Sequence, residues 1–112
     1  MELAERTEGK VLIAKTLDPR VDARMACEFK HRLIAMIDAG HPLIALDLSD
    51  VDFIDSSGLG AIVSALRQLN GRGDLVIVGA RPAVANLFRL TRMDKVFRMF
   101  RGTSEAVAAL SN

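Results

Sequence analysis

Leu43-Ile44-Ala45-Leu46-Asp47-Leu48 is a nearly continuous apolar run, followed by Ser49-Asp50-Val51-Asp52-Phe53-Ile54 and then by Asp55-Ser56-Ser57-Gly58. A short apolar run between breakers reads as a strand covered on at least one face. Beyond the serines, Leu59, Ile62, Val63, Leu66 and Leu69 recur at helical spacing until Asn70-Gly71-Arg72-Gly73 stops them. A buried strand, a polar turn and an amphipathic helix form one half of a strand–helix–strand unit. Leu75 to Val78 is the strand that completes it.

Working outward gives the same alternation. Upstream, Met25, Phe29, Leu33, Met36 and Ile37 predict a helix over roughly 22–38, opened by Asp22 and ended at Ala39-Gly40 with Pro42 beyond. Before it, Val11 to Leu17 reads as a strand, and the charged residues preceding it pair with it across a turn near Glu8 and Gly9. Downstream, Pro82 suits the first turn of a helix with Val84, Leu87 and Phe88 inward. Val96 to Phe100 reads as a last short strand, and Thr103 or Ser104 caps a terminal helix through Ala106, Val107 and Leu110. The order β, β, α, β, α, β, α, β, α predicts an α/β layer structure with helical crossovers between its middle strands.

Length and charge narrow the function classes. The chain has 112 residues, half of them hydrophobic, and a formal net charge of +1, which suits one domain over 1–112 and argues against disorder. Cys27 is its single cysteine, so no internal disulfide and no cysteine-based zinc site is expected. The N-terminal residues carry Glu2, Glu5, Arg6, Glu8 and Lys10, unlike a secretory signal. The longest uncharged stretch, between Asp55 and Arg67, is far short of the roughly 18 apolar residues of a membrane span. A cytoplasmic protein without membrane insertion is expected. No Lys or Arg lies between Arg32 and Arg67, whereas Asp38, Asp47, Asp50, Asp52 and Asp55 do, so this segment predicts an acidic surface unsuited to nucleic acid.

Two hydroxyls after a strand end stand where α/β sheets commonly place function. Serine is also a preferred N-cap, contributing about 1 kcal/mol, and capping alone would account for one serine. Two of them, followed by Gly58 and Gly60, which let another backbone approach, ask for more.

The run Phe53-Ile54-Asp55-Ser56-Ser57-Gly58-Leu59-Gly60 resembles the signature of the STAS domains, specifically of bacterial anti-sigma factor antagonists. Val11 to Leu17 resembles the second strand of that family, Asp22 falls on the aspartate that opens its first helix, and Ile44 to Leu48 is similar to its central strand. Gly79-Ala80-Arg81-Pro82-Ala83-Val84 with Leu87-Phe88 resembles its later strand-to-helix turn. The resemblance implies a small mixed sheet of four to five strands with helices packed mainly on one side. It also implies a binding module that is the substrate of its partner, an anti-sigma factor and serine kinase of the histidine-kinase-like ATPase type. Phosphorylation would release the complex, and a metal-dependent Ser/Thr phosphatase would act on the phosphorylated form. The implied phosphoacceptor is Ser56, with Ser57 as the alternative, and the implied contact surface comprises Asp22, Asp55, Ser56, Ser57, Gly58, Leu59, Gly60 and Ser64. No cofactor is expected. One departure stands out: the family's Gly-Glu-Leu-Asp loop is Pro19-Arg20-Val21-Asp22 here, with Arg20 in place of an acidic residue.

The switch has a physical account of its own. A phosphate adds about −1.5 to −2 charge at neutral pH. The helix N-terminus would favour it by about 0.3–1 kcal/mol, while Asp50, Asp52 and Asp55 would resist it. A partner pressed on that face would have to desolvate a dianion, at a cost of several kcal/mol.

Other readings fit less of the chain. Asp50-Val51-Asp52 resembles the paired aspartates of haloacid-dehalogenase-type phosphatases, but no later acidic pair follows, and Asp18 stands alone where a receiver domain carries two acids. A serine hydrolase would need a histidine base, and neither His31 nor His41 has a recognisable orienting partner. Cys27 reads as a core or boundary residue. Arg89, Arg92, Lys95, Arg98 and Arg101 read as a solvated cationic face. The rival that keeps the fold is a STAS adaptor subunit of a transport ATPase, which needs no phosphorylatable hydroxyl.

Overall fold

The computed structural model describes residues 1–111. Its first two strands, β1 (Leu3–Glu8) and β2 (Val11–Thr16), form an antiparallel hairpin. Gly9 makes the tight turn with a φ of +60°, a left-handed conformation that costs glycine little. A two-residue strand β3 (Arg20–Val21) and a turn lead into α1 (Ala26–Asp38). The chain continues through β4 (Leu43–Asp47), a second two-residue strand β5 (Phe53–Ile54), α2 (Ser56–Leu69), β6 (Asp74–Val78) and α3 (Pro82–Leu90). A 3-10 turn (Met93–Lys95), β7 (Met99–Phe100) and α4 (Thr103–Ser111) complete it.

Five strands form the main sheet in the order β1-β2-β4-β6-β7, parallel except for β1. The sheet advances in one direction from β2 to β7. Right-handed crossovers that step the same way each time leave their helices on the same face. Hence α1, α2 and α3 share one side. The register places Leu12 beside Ile44 and Ile44 beside Leu75, then Ala14 beside Leu46 and Leu46 beside Ile77. These rows pack against Phe29 and Leu33 of α1, Ile62 and Leu69 of α2, and Phe88 of α3. The alternate residues Val11, Ile13, Ala45, Val76 and Val78 face the other way, where Ala106 and Leu110 of α4 cover them. Phe97 closes the larger core edge-to-face on Phe88, with ring centroids 5.9 Å apart.

The α/β class, the mixed sheet and the packing of the helices mainly on one side are as expected, with α4 on the other face, and three details differ. The first helix begins at Ala26, not near Asp22: Asp22 instead closes a turn, its backbone carbonyl accepting from the Met25 amide and its side chain from the Arg24 amide. The last strand is only Met99–Phe100, because a 3-10 turn at Met93–Lys95 precedes Val96 and Phe97. The segment after β4 forms β5, which pairs in parallel with β3 as a separate two-stranded sheet.

Candidate functional site

Beyond the main sheet, β3 and β5 frame the start of α2. Arg20 pairs with Phe53 and Val21 with Ile54, and the Asp55 amide then donates to the Val21 carbonyl at 3.2 Å. The Asp55 side chain serves two amides. Its Oδ1 accepts from Gly58 at 2.9 Å, which caps α2, and its Oδ2 accepts from Ala23 at 3.1 Å, which ties the turn before α1 to the same point. A short aspartate holds two chain segments together.

Because Asp55 is the cap, the serines are not. Ser56 and Ser57 occupy the first two positions of α2, both exposed, and no hydrogen bond among the described residues uses either hydroxyl. The capping role expected of a serine thus falls to the residue before the pair. The spacing Asp55 to Gly58, an acceptor three residues ahead of a helical amide, was the available signal.

The expected contact residues divide into exposed and buried. Asp22, Asp55, Ser56, Ser57, Gly60 and Ser64 retain accessible surface. Gly58 and Leu59 are buried, contrary to their expected place in the contact surface. Leu59 belongs to the core, and a Cβ on Gly58 would lie 2.6 Å from the Val21 carbonyl oxygen. Their role is to let α2 approach β3. Gly60 has open space where a side chain would stand, and the Ser64 hydroxyl donates to the Gly60 carbonyl at 3.0 Å. Ser57, Gly60 and Ser64 line a shallow groove between α1 and α2 with Ala26, Cys27, Lys30 and Ala61. Cys27 is exposed there, so it is not the core or boundary residue expected.

The acidic segment is also less bare than its sequence suggests, because folding brings in cations from distant positions. Lys15 lies 3.6 Å from Asp50, and Arg81 pairs with Asp52 while its Nε donates to the Ser49 carbonyl. Asp22 accepts from the Arg24 guanidinium at 3.2 Å and lies 4.0 Å from that of Arg20. The hydrogen bond from Arg24 lowers the Asp22 pKa below its usual 3.8, against a smaller opposing effect of desolvation. Arg20 in turn lies 4.3 Å from the centre of the half-exposed Phe53 ring, a cation–π contact. Of these cations only Arg20 stood out in the sequence; Lys15, Arg24 and Arg81 were not legible as part of the site.

The profile of the STAS domain matches residues 4–106. The chain belongs to the STAS family. Among curated relatives, it is 29% identical to BtrV of Bordetella bronchiseptica, assigned as an anti-sigma factor antagonist, over 80% of this chain and 78% of that one. Among solved structures, an anti-sigma factor antagonist from Mycobacterium paratuberculosis superposes on this STAS domain with a TM-score of 0.90 at 22% identity, covering 99% of this chain and 94% of that one. The Bacillus cell fate determinant SpoIIAA in its phosphorylated form superposes with a TM-score of 0.72 at 16% identity, covering 96% and 98%. These likenesses show that the fold is that of the STAS domains. Among the described residues, no helix of the domain is long and apolar enough to cross a membrane.

Proposed function

We propose that this STAS domain is an anti-sigma factor antagonist of a cytoplasmic partner-switching pathway, with Ser56 as its phosphoacceptor. The observation that carries the reading is the pair of exposed, unengaged serine hydroxyls at the start of α2, left free because Asp55 performs the capping. The similarity to proteins assigned as anti-sigma factor antagonists supports it, as does the description of SpoIIAA in both unphosphorylated and phosphorylated forms.

In this reading the unphosphorylated domain binds an anti-sigma factor that is also a serine kinase of the histidine-kinase-like ATPase type. The face involved comprises Asp22, Ser56, Ser57, Gly60 and Ser64, with Asp55, Gly58 and Leu59 holding it in position. The Ser56 Oγ attacks the γ-phosphorus of ATP in the kinase, ADP leaves, and the hydroxyl proton passes to a base of the kinase. A metal-dependent Ser/Thr phosphatase restores the serine with water, releasing inorganic phosphate. The dianion disfavours the complex because the partner would have to strip its hydration. The domain is a substrate and a binding module, and performs no catalysis itself.

The test is capture from native lysate with wild type, Ser56→Ala and Ser56→Asp as baits. The expected result is recovery of a kinase of that ATPase class by wild type and Ser56→Ala and its loss with Ser56→Asp. Equal recovery of a transport ATPase by all three would make the domain an adaptor and overturn the proposal.

A further inference from the structure

Arg24 sits on a turn that Asp55, the residue before the proposed phosphorylation site, itself holds in place. Ala23 donates to Asp55 Oδ2 at 3.1 Å; Arg24 follows Ala23, and Ser56 follows Asp55. Consecutive Cα atoms are about 3.8 Å apart, so this bond brings the Arg24 and Ser56 backbones into the same neighbourhood, and Arg24 carries a long, extendable arm. The Arg24 side chain is 82% exposed, and its side-chain bond is to Asp22, at 3.2 Å.

Asp22 can release that arm without being left unpaired. It keeps the Arg24 backbone amide at 3.1 Å and has Arg20 at 4.0 Å, and Arg20 is steadied by the Phe53 ring. Asp55 cannot compete for the arm so readily, since both its oxygens already accept amides. Asp50 and Asp52 are matched by Lys15 and Arg81. A phosphate dianion on Ser56 offers Arg24 more charge than the Asp22 carboxylate does, and a planar guanidinium can bind it through two parallel hydrogen bonds.

We infer that Arg24 is a phosphate latch: when Ser56 carries a phosphate, the Arg24 guanidinium leaves Asp22 and closes on the phosphate. This inference rests on Ser56 being the modified residue. It adds that modification rearranges the contact face as well as adding charge, uncovering Asp22 and fixing Arg24 over the start of α2. Ser57 faces a different cation, because it lines the groove that contains Lys30.

The experiment is a phosphorus-31 NMR pH titration of the full chain carrying genetically encoded phosphoserine at position 56, so that no kinase is needed. It is run on the wild-type background, on Arg24→Gln and on Lys30→Gln. The helix N-terminus acts on the phosphate equally in all three, so differences isolate the side chains. The expected result is a second phosphate ionisation lower in wild type than in Arg24→Gln by about half a pH unit or more, with Lys30→Gln matching wild type. Arg24→Lys, which keeps the charge but loses the fork, should fall between. Identical titration in wild type and Arg24→Gln, or a shift caused only by Lys30→Gln, would overturn the latch. A latch seen in this protein alongside an unmodified Ser56 in lysate would instead count against the kinase reading alone.

Discussion

A methyl group on Gly58 would lie 2.6 Å from the carbonyl oxygen of Val21 and 2.9 Å from Ile54 Cγ1. The first turn of α2 therefore rests directly on the backbone of β3, and the serines are displayed by that contact. Gly58→Ala should destabilise the protein, because overpacking against a backbone atom costs about 1–3 kcal/mol and the better helix propensity of alanine returns at most about 1 kcal/mol. Gly60→Ala is the control: it meets open space and should gain up to about 1 kcal/mol. Urea unfolding of the two variants gives opposite signs if the contact is as described.

The serines should matter little to stability. With Asp55 as the cap, Ser56→Ala and Ser57→Ala should each change the unfolding free energy by less than about 0.5 kcal/mol. A loss of about 1 kcal/mol at either position would reveal a cap that the geometry does not contain.

Asp55 should carry what the serines do not. Asp55→Ala removes the α2 cap and the tie to Ala23 together, and should cost about 1–3 kcal/mol. Asp55→Asn keeps one carbonyl oxygen and should lose about half as much. Thermal unfolding separates them, since about 1 kcal/mol shifts the midpoint of a domain near this size by roughly 4–8 °C.

Asp22 sets an acid-side dependence of stability. Its folded pKa lies below the unfolded value, because the Arg24 hydrogen bond favours the charged form. The unfolded chain then binds more protons in that range, so stability rises with pH. The contribution is fully present above the usual 3.8 and is lost as the pH falls through the lower folded value. Asp22→Asn should therefore be less stable than wild type at neutral pH, and the gap should narrow below about pH 4. A constant gap across that range would exclude the Asp22 carboxylate as its source.

The periodic elements were legible in the sequence because apolar spacing records burial directly: Leu59, Ile62 and Leu69 mark α2 before any coordinate is known. So was the position of Ser56 after a strand end. Asp22 as a helix opener was misleading, since aspartate closes turns by the same side-chain-to-amide bond with which it caps helices. The pairing of β3 with β5 escaped notice because two-residue strands leave no periodicity. Lys15 and Arg81 were missed for a different reason: each belongs to the site through contact with an acid distant in the chain, and a local count of charge in 33–66 reads only the acids. Arg24 was missed because it meets Asp22 across a turn that the sequence read as the opening of a helix.

β3 and β5 lie outside the five-stranded ladder, and the frame around Ser56 is joined to it by packing, through Val21 and Ile54 buried in the main core. Substitutions such as the arginine at position 20 can change what the edge recognises without disturbing a row of the main sheet. The exposed positions of this small frame are thus free to vary in charge and shape while the ladder that carries the scaffold stays the same.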